Sequence, residues 1–497
     1  MKNLLLKTAI AAVLAGPAMA QAASLDDIQK EIAEMKAKNE RLEAEVSALK
    51  EKSKAQSKDA PADSANAKPV PHVTQNGSGK FALESADGLT SISLTGRLHF
   101  DTGAYVSFKP DNATVGPQFL SDGVNARRAR IGVSGKVAGG WTFGFIYDGG
   151  NSQDGTGTGG NPAGIQTAQI SYTGFKGVII DLPGYSEPPY PLDVAVSSND
   201  IMFMERATPA NVAAGFGAGD FRSNAGVRFY GDRYWIGAYL TGPAYGDSHT
   251  LVRERLGSFQ RATAQVLTGD NYSLHLGVNA FELLQTPDTG PGTARTVTLS
   301  DRPELRIDPT ALLSTGGLGS ATNPVSSAKV YGFEAAGGWN SIYGQGEYFK
   351  YDVSRRGLGS NSFDGYYGQV SWTITGEHRK YSPTTGAYSG ITPNKPFGVH
   401  GGWGALELAA RYSKTNLNDD FVEGVALSAQ PTAVNGGEMK NITLGANWYL
   451  NGYLRFMLNY VHSELDRVNG TATATAPLGA PIGYKMDAFA LRTQLSW

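Results

Sequence analysis

The chain has 497 residues, a formal net charge of −2 and no cysteine. The near-neutral charge gives no argument for a polyanion partner such as nucleic acid, and without cysteine neither a disulfide nor a cysteine-linked lipid anchor can form. A mean hydropathy of −0.26 is that of a water-soluble chain, but a closed sheet in which only every second residue meets lipid gives the same value.

In chain order, the first element reads as an export signal. Lys2 and Lys7 flank an apolar stretch from Leu4 to Gly16, and Ala18-Met19-Ala20 follows. A charged start, a short apolar region and an A-x-A site define a signal peptide over residues 1–20, with Gln21 as the mature N-terminus. The stretch is too short to span a bilayer, and no later run approaches the ~20 apolar residues that a membrane helix needs.

Residues 21–52 form the second element. Leu25, Ile32, Asn39 and Val46 fall at heptad position a, and Ile28, Met35, Leu42 and Leu49 at d. The g–e′ pairs Glu31–Lys36, Lys38–Glu43 and Glu45–Lys50 all have opposite signs. That pattern predicts a parallel self-associating α-helical coiled coil, with Asn39 fixing the register. At 1.5 Å per residue such a coil reaches about 40 Å. Residues 53–80, with Pro61, Pro69 and Pro71 and no apolar periodicity, read as a flexible linker.

From residue 81 to 497 the texture is β. Period-two stretches recur, separated by Gly, Asn, Asp and Pro. Ile92, Leu94, Leu98 and Phe100 oppose Ser93, Thr95, Arg97, His99 and Asp101. Trp141, Phe143, Phe145 and Tyr147 oppose Thr142, Gly144 and Asp148. Ile442, Leu444, Ala446 and Trp448 oppose Asn441, Thr443, Gly445 and Asn447. The final residue, Trp497, ends an alternating strand with Leu491, Thr493 and Leu495 on one face. A chain that ends inside an amphipathic strand on an aromatic residue fits an outer-membrane barrel, whose last strand must close on its first because lipid tolerates no unpaired edge.

The polar faces are rich in arginine. Residues 91–497 hold 21 Arg and 10 Lys, and Arg97, Arg128, Arg130, Arg228, Arg411, Arg455 and Arg492 fall on polar faces. Such a set could line an anion-attracting pore. Equally, each could pair with one of the 33 acidic residues of the same stretch and stiffen the wall. Enzyme readings find no support: the histidines show no H-E-x-x-H spacing, there is no G-x-S-x-G elbow, and the glycine-rich run from Asp148 to Gly160 lacks the Lys-Ser/Thr of a phosphate loop. No cofactor or metal is expected.

Five stretches resemble the phosphate-selective porin O and P family, in that family's order. They are Asn125–Gly135, Ser197–Arg206, Gly365–Glu377, Gly404–Ser413 and Leu444–Leu450. The resemblance covers roughly residues 90–497. It implies an all-β, 16-stranded antiparallel transmembrane barrel, trimeric in the outer membrane, with a long third loop near Gly184–Gly219 folded inward as the constriction. It also implies a pore that attracts anions such as phosphate, and the positions matching the family's arginines are Arg97, Arg127, Arg128 and Arg206. One departure stands out: Glu187 in Gly184-Tyr-Ser-Glu-Pro-Pro-Tyr190 occupies a position where the family commonly has lysine, and a reversed charge in a narrow pore weakens anion preference. The expected function is passive diffusion of small, anionic solutes. The alternative is a structural protein whose periplasmic coil holds the outer membrane to peptidoglycan.

Overall fold

The structure, a computed structural model, describes residues 71–75, 81–112, 119–150, 164–216, 221–244 and 252–497. The expected signal peptide, the coiled coil and most of the expected linker lie outside the described residues, as does the glycine-rich run beyond Gly150.

One sheet of 18 strands dominates. Its first two strands form a hairpin, His72–Gln75 against Phe81–Glu84, that leans on the first barrel strand through Ala82↔Ser93. This corrects the linker reading for His72–Gln75: Phe81 to Glu84 is itself a short strand, and it offers an edge that the residues before it can pair. The other 16 strands form the barrel. They are β1 (Ser91–Pro110), β2 (Gly123–Val137), β3 (Trp141–Asp148), β4 (Gly164–Tyr172), β5 (Val178–Ser186), β6 (Arg222–Tyr230), β7 (Tyr234–Thr241), β8 (Leu256–Thr268), β9 (Tyr272–Gln285), β10 (Val325–Trp339), β11 (Ile342–Arg355), β12 (Gly359–Thr373), β13 (Ala405–Asp419), β14 (Val434–Tyr449), β15 (Leu454–Asp466) and β16 (Tyr484–Ser496). Each pairs antiparallel with the next.

The last strand closes the ring. β16 pairs with β1 from Tyr484↔Pro110 to Ser496↔Arg97, so no edge is left for lipid. Trp497 finishes the seam: its backbone N–H donates to Gly96 O at 3.1 Å and its O accepts from Gly96 N–H at 3.0 Å. A Cβ at position 96 would overlap the Trp497 indole, so glycine is required there by close approach.

The period-two faces are those expected in the half of the barrel nearest the termini. Leu94, Leu98, Phe145, Val278, Leu408, Leu444, Leu458 and Leu491 point outward and are exposed. Their polar neighbours point inward. Towards the far ends of β9–β16 the pattern inverts. In β11, Lys350 and Asp352 face out while Phe349, Tyr351 and Val353 are buried inside. In β15 and β16, Glu464 and Lys485 face out while Leu465, Tyr484 and Met486 are buried inside. The barrel therefore rises above the hydrocarbon on that side and encloses a packed apolar core.

Three long connections fill that core. Residues 187–216 enter the lumen with a short helical turn α1 (Leu192–Ala195) and helix α2 (Thr208–Gly215). Residues 286–324 enter from the same end. Met204, Val212 and Phe216 of the first connection and Leu299, Leu305 and Leu313 of the second pack against Phe281, Tyr351 and Met457 of the wall in one cluster. The third, residues 374–404, enters from the end that carries the termini, and its Ala387 and Tyr388 pack against Leu192, Phe203 and Tyr343. All-round lumen polarity is thus a feature of only part of the barrel, because the inserted loops need apolar partners.

Candidate channel constriction

The inward connection 187–216 is held by buried ion pairs, and Glu205 is the main knot. Its carboxylate accepts from Arg127 Nε at 2.7 Å and Arg127 Nη2 at 2.9 Å. It also takes Arg492 Nη2 at 3.0 Å and lies 3.3 Å from Arg306 Nε of the second inserted connection. Burial works against this carboxylate, but Arg127, Arg492 and Arg306 outweigh it and hold Glu205 far below the ordinary carboxylate range. Arg492 is further fixed by Asp101, with both contacts at 2.7 Å, and donates to Met204 O at 2.6 Å.

Arg127 reaches Glu205 because of a β-bulge. The β1–β2 register steps from His99↔Arg128 to Phe100↔Ala126, which leaves Arg127 as the extra residue. Strict alternation would send one of two consecutive arginines into lipid; the bulge lets both face the lumen, and both are buried.

Other loop acids repeat the arrangement. Glu304 of the second connection accepts from Arg411 Nε at 2.7 Å, Ser413 Oγ at 2.6 Å and Thr443 Oγ1 at 2.7 Å. Arg379 of the third connection pairs with Glu407 of β13 at 2.8 Å, while Arg261 pairs with Glu334 at 2.8 Å and donates to Thr385 O and Gly386 O of the same connection. Glu347 of β11 accepts the backbone N–H groups of Leu192 and Asp193 at 2.9 and 3.1 Å, capping α1.

Water reaches the opposite wall. Inward-facing Thr142, Asp148, Gln169, Ser171 and Arg228 on β3, β4 and β6 are partly accessible, as are Glu187, Asn199 and Asp200 on the facing loop. This lane is the opening between the first inserted connection and β1–β6.

The sequence-derived candidates divide across it. Arg97 borders the lane. Its Nη1 donates to Ser198 Oγ at 2.5 Å, it sits in register with Arg130, and among the described residues no carboxylate comes within ion-pair reach of it. Arg130 is neutralised by Asp148 at 2.7 Å. Arg127 belongs to the Glu205 knot rather than to the lane. Arg128 is buried beside His99, at 3.4 Å, and His99 in turn contacts Asn199 Oδ1 at 3.0 Å. Arg206 is buried; it donates to Asp193 O at 3.2 Å and to Glu187 Oε1 at 3.0 Å. Glu187 lies on the loop's lane side, 21% accessible. The family motif brings these residues into one neighbourhood but does not place them on one surface.

Sequence reasoning missed the acids. Glu205, Glu304, Glu334 and Glu407 hold the loops, and none was singled out. Glu407 and Glu334 do carry a signal: each is an acid on the inward face of a strand, where a cation must answer it.

The comparisons with known proteins agree with this architecture. The phosphate-selective porin O and P family matches residues 92–497. Porin O of Pseudomonas aeruginosa is 24% identical over 409 residues, covering 78% of this chain and 86% of that protein. An uncharacterized protein of Caulobacter vibrioides is 26% identical over 398 residues, covering 78% of this chain and 71% of that one. Among solved structures, the anion-selective porin of Comamonas acidovorans aligns with a TM-score of 0.46 at 14% identity, over 82% of this chain and all of that one (100%). The closed barrel with its inserted loops and the family match converge: the chain belongs to the phosphate-selective porin O and P family and forms a porin channel in the outer membrane.

Proposed function

We propose that the lane between the first inserted connection and β1–β6 passes small anions, phosphate among them, and that Arg97 is the cation they meet. The observation that carries this reading is Arg97's lack of a carboxylate partner where Arg130, Arg261, Arg379, Arg411 and Arg492 each have one. A neutralised arginine adds little field to a neck; an unneutralised one lowers the entry barrier for anions and raises it for cations. Ser198 and Asn199 beside it supply a hydroxyl and an amide for an oxyanion. Glu187 pairs with Arg206 and offsets its charge on the same loop, which makes the anion preference weaker than a lysine at 187 would give.

The assembly is a homotrimer in this reading, supported by the family match and by the matched g–e′ pairs of residues 25–52. The test of the whole reading is the reversal potential of purified protein in a planar bilayer across a salt gradient, followed by competition with phosphate, sulfate and organic anions. Anion preference that phosphate blocks is the expected result. Cation preference in the wild type would sink it.

A further inference from the structure

The outer wall carries a row of charge that the channel does not use. Lys414, Lys440, Glu464, Lys485 and Lys109 are successive register partners across β13, β14, β15, β16 and β1. All five side chains face outward; immediately below them on the same face come Tyr412, Ile442, His462 and Asp487, the last two paired at 2.8 Å, with Tyr460 and Phe489 one step further. Among the described wall residues, the outward faces of β2–β8 carry no such charge. There, Val124, Tyr147, Leu240 and Leu256 are the outward-facing residues near the strand ends on that side.

Height identifies the surroundings. Lys485 lies ten residues from Leu495 on β16, about 34 Å of strand and about 25 Å of elevation at a tilt near 40°. That is the thickness of the apolar band of an outer-membrane barrel. Lys485 therefore stands at the headgroup level of the leaflet opposite the termini, and the register partners on either side of it step about 3 Å in height per strand. The inversion of inward and outward polarity in β11, β15 and β16 occurs at the same level.

Three of the four lysines of the row have surface carboxylate partners, and Lys109 has none among the described residues. Lysines directly opposite one another repel, and two such pairs occur, Lys414↔Lys440 and Lys485↔Lys109. Glu438 bridges the first pair at 3.0 Å to each ammonium, and Asp466 takes Lys440 at 3.0 Å as well. Glu464 holds Lys485 at 2.9 Å. Lys109 has no carboxylate in ion-pair reach among the described residues, and it is exposed. Exposed lysine–carboxylate pairs are worth little and exchange readily for a stronger acceptor; a phosphate offers more oxygens and more charge.

We propose that this row, Lys109, Lys414, Lys440 and Lys485, is a binding surface for the phosphates of an anionic glycolipid in the outer leaflet. The proposal rests on the outer-membrane location and not on the channel's ion preference. Two pairs of cations, each ~4.8 Å apart across neighbouring strands and separated by the strand of Glu464, match a headgroup carrying two separated phosphates better than a lipid carrying one.

The test is native mass spectrometry of the full-length protein in detergent, titrated with bisphosphorylated lipid A, dephosphorylated lipid A and phosphatidylglycerol. Wild type should retain the bisphosphorylated glycolipid over both others. The variant Lys109→Gln/Lys414→Gln/Lys440→Gln/Lys485→Gln should lose about tenfold in affinity or more, as expected when charge-assisted contacts are removed. Should that variant fail to fold, Lys109→Gln/Lys485→Gln carries the test, with a loss of roughly threefold or more. Unchanged binding by the variant that folds would overturn the proposal. So would equal retention of phosphatidylglycerol by wild type, or a change in subunit number with no change in lipid binding.

Discussion

Replacing Glu205 by alanine tests whether the constriction loop is held by charge. The change removes one acceptor shared by Arg127, Arg492 and Arg306. All three guanidinium groups are buried or nearly so, with 2%, 0% and 12% of the side chain accessible. Breaking a buried pair by deleting one partner costs about 3–5 kcal/mol, since the remaining charge is left uncompensated. The three contacts share one carboxylate and Arg492 keeps Asp101, so the effects do not add, and about 3–5 kcal/mol is the expected total. If the released loop is the state that absorbs this change, its population rises by a factor of roughly 100 to 4,000. The chain has no cysteine, so one reporter reads the release cleanly. Val212 on α2 is 3% accessible, and Val212→Cys removes volume rather than adding it. Labelling of that cysteine by a polar thiol reagent should be slow in the Glu205 background and faster by at least about 100-fold in Glu205→Ala. Equal labelling rates in folded, trypsin-resistant barrels would refute the idea that this knot holds the loop, and would leave the apolar packing of Met204 and Phe216 as its anchor.

Four further outcomes are expected. Arg97→Ala should move the reversal potential towards cations at low salt, with the shift shrinking near 1 M, where the screening length is about 3 Å, and with barrel stability unchanged; a planar-bilayer measurement decides it. Glu187→Gln removes a carboxylate 3.0 Å from Arg206 while keeping a hydrogen-bond acceptor, so anion preference should rise, and no change would place Glu187 outside the conducting path. Gly96→Val should hinder closure of β16 on β1 by displacing Trp497, seen as a lower yield of heat-modifiable barrel on gels. On pH, Glu205 is depressed in the folded state, so its contribution is present above the ordinary carboxyl range and is lost only as pH falls through its own lower value. Asp301 is opposite: burial raises it to about 6 against Arg306, so its contribution is full below the ordinary range and is lost as pH rises through about 6. Amide hydrogen exchange of the second connection, divided by its intrinsic rate at each pH, should therefore quicken between pH 5 and 7, and Asp301→Asn should abolish that dependence.

The barrel was legible in the sequence because lipid enforces a strict code. A residue such as Leu444 or Leu458 must be apolar where it meets hydrocarbon, and its neighbours Thr443 and Asn459 are freed to be polar. The closing strand and Trp497 were legible for the same reason. The upper core was not, because Phe349 and Tyr351 alternate with Tyr348 and Lys350 in the same period of two, and the period does not say which face is inside. Height along the strand decides that, and only the pairing supplies height. The site was half legible. Alternation gives Arg97 and Arg130 the same face, but it also sends Arg127 into lipid; the bulge that rescues Arg127 has no mark in the sequence. The pairing of Arg411 with Glu304 spans more than a hundred residues, beyond any local pattern.

These placements change what sets the selectivity of the channel. On the sequence alone the polar-face arginines could line the pore or pair with wall acids, and the geometry pairs most of them. Arg127 and Arg492 hold a loop, Arg411 holds another, and Arg261 and Arg379 hold the third. A buried pair of this kind contributes position rather than field, because the potential of a cation and an anion about 3 Å apart falls away quickly with distance. The field in the lane is then the residue of a subtraction: Arg97 against Asp200, with Arg130 and Asp148, and Arg206 and Glu187, cancelling. A subtraction between so few charges is sensitive to each of them. Single substitutions at 97 or 187 should thus move ion preference more than loss of Arg411 or Arg379, whose removal should first be felt as loosening of a loop.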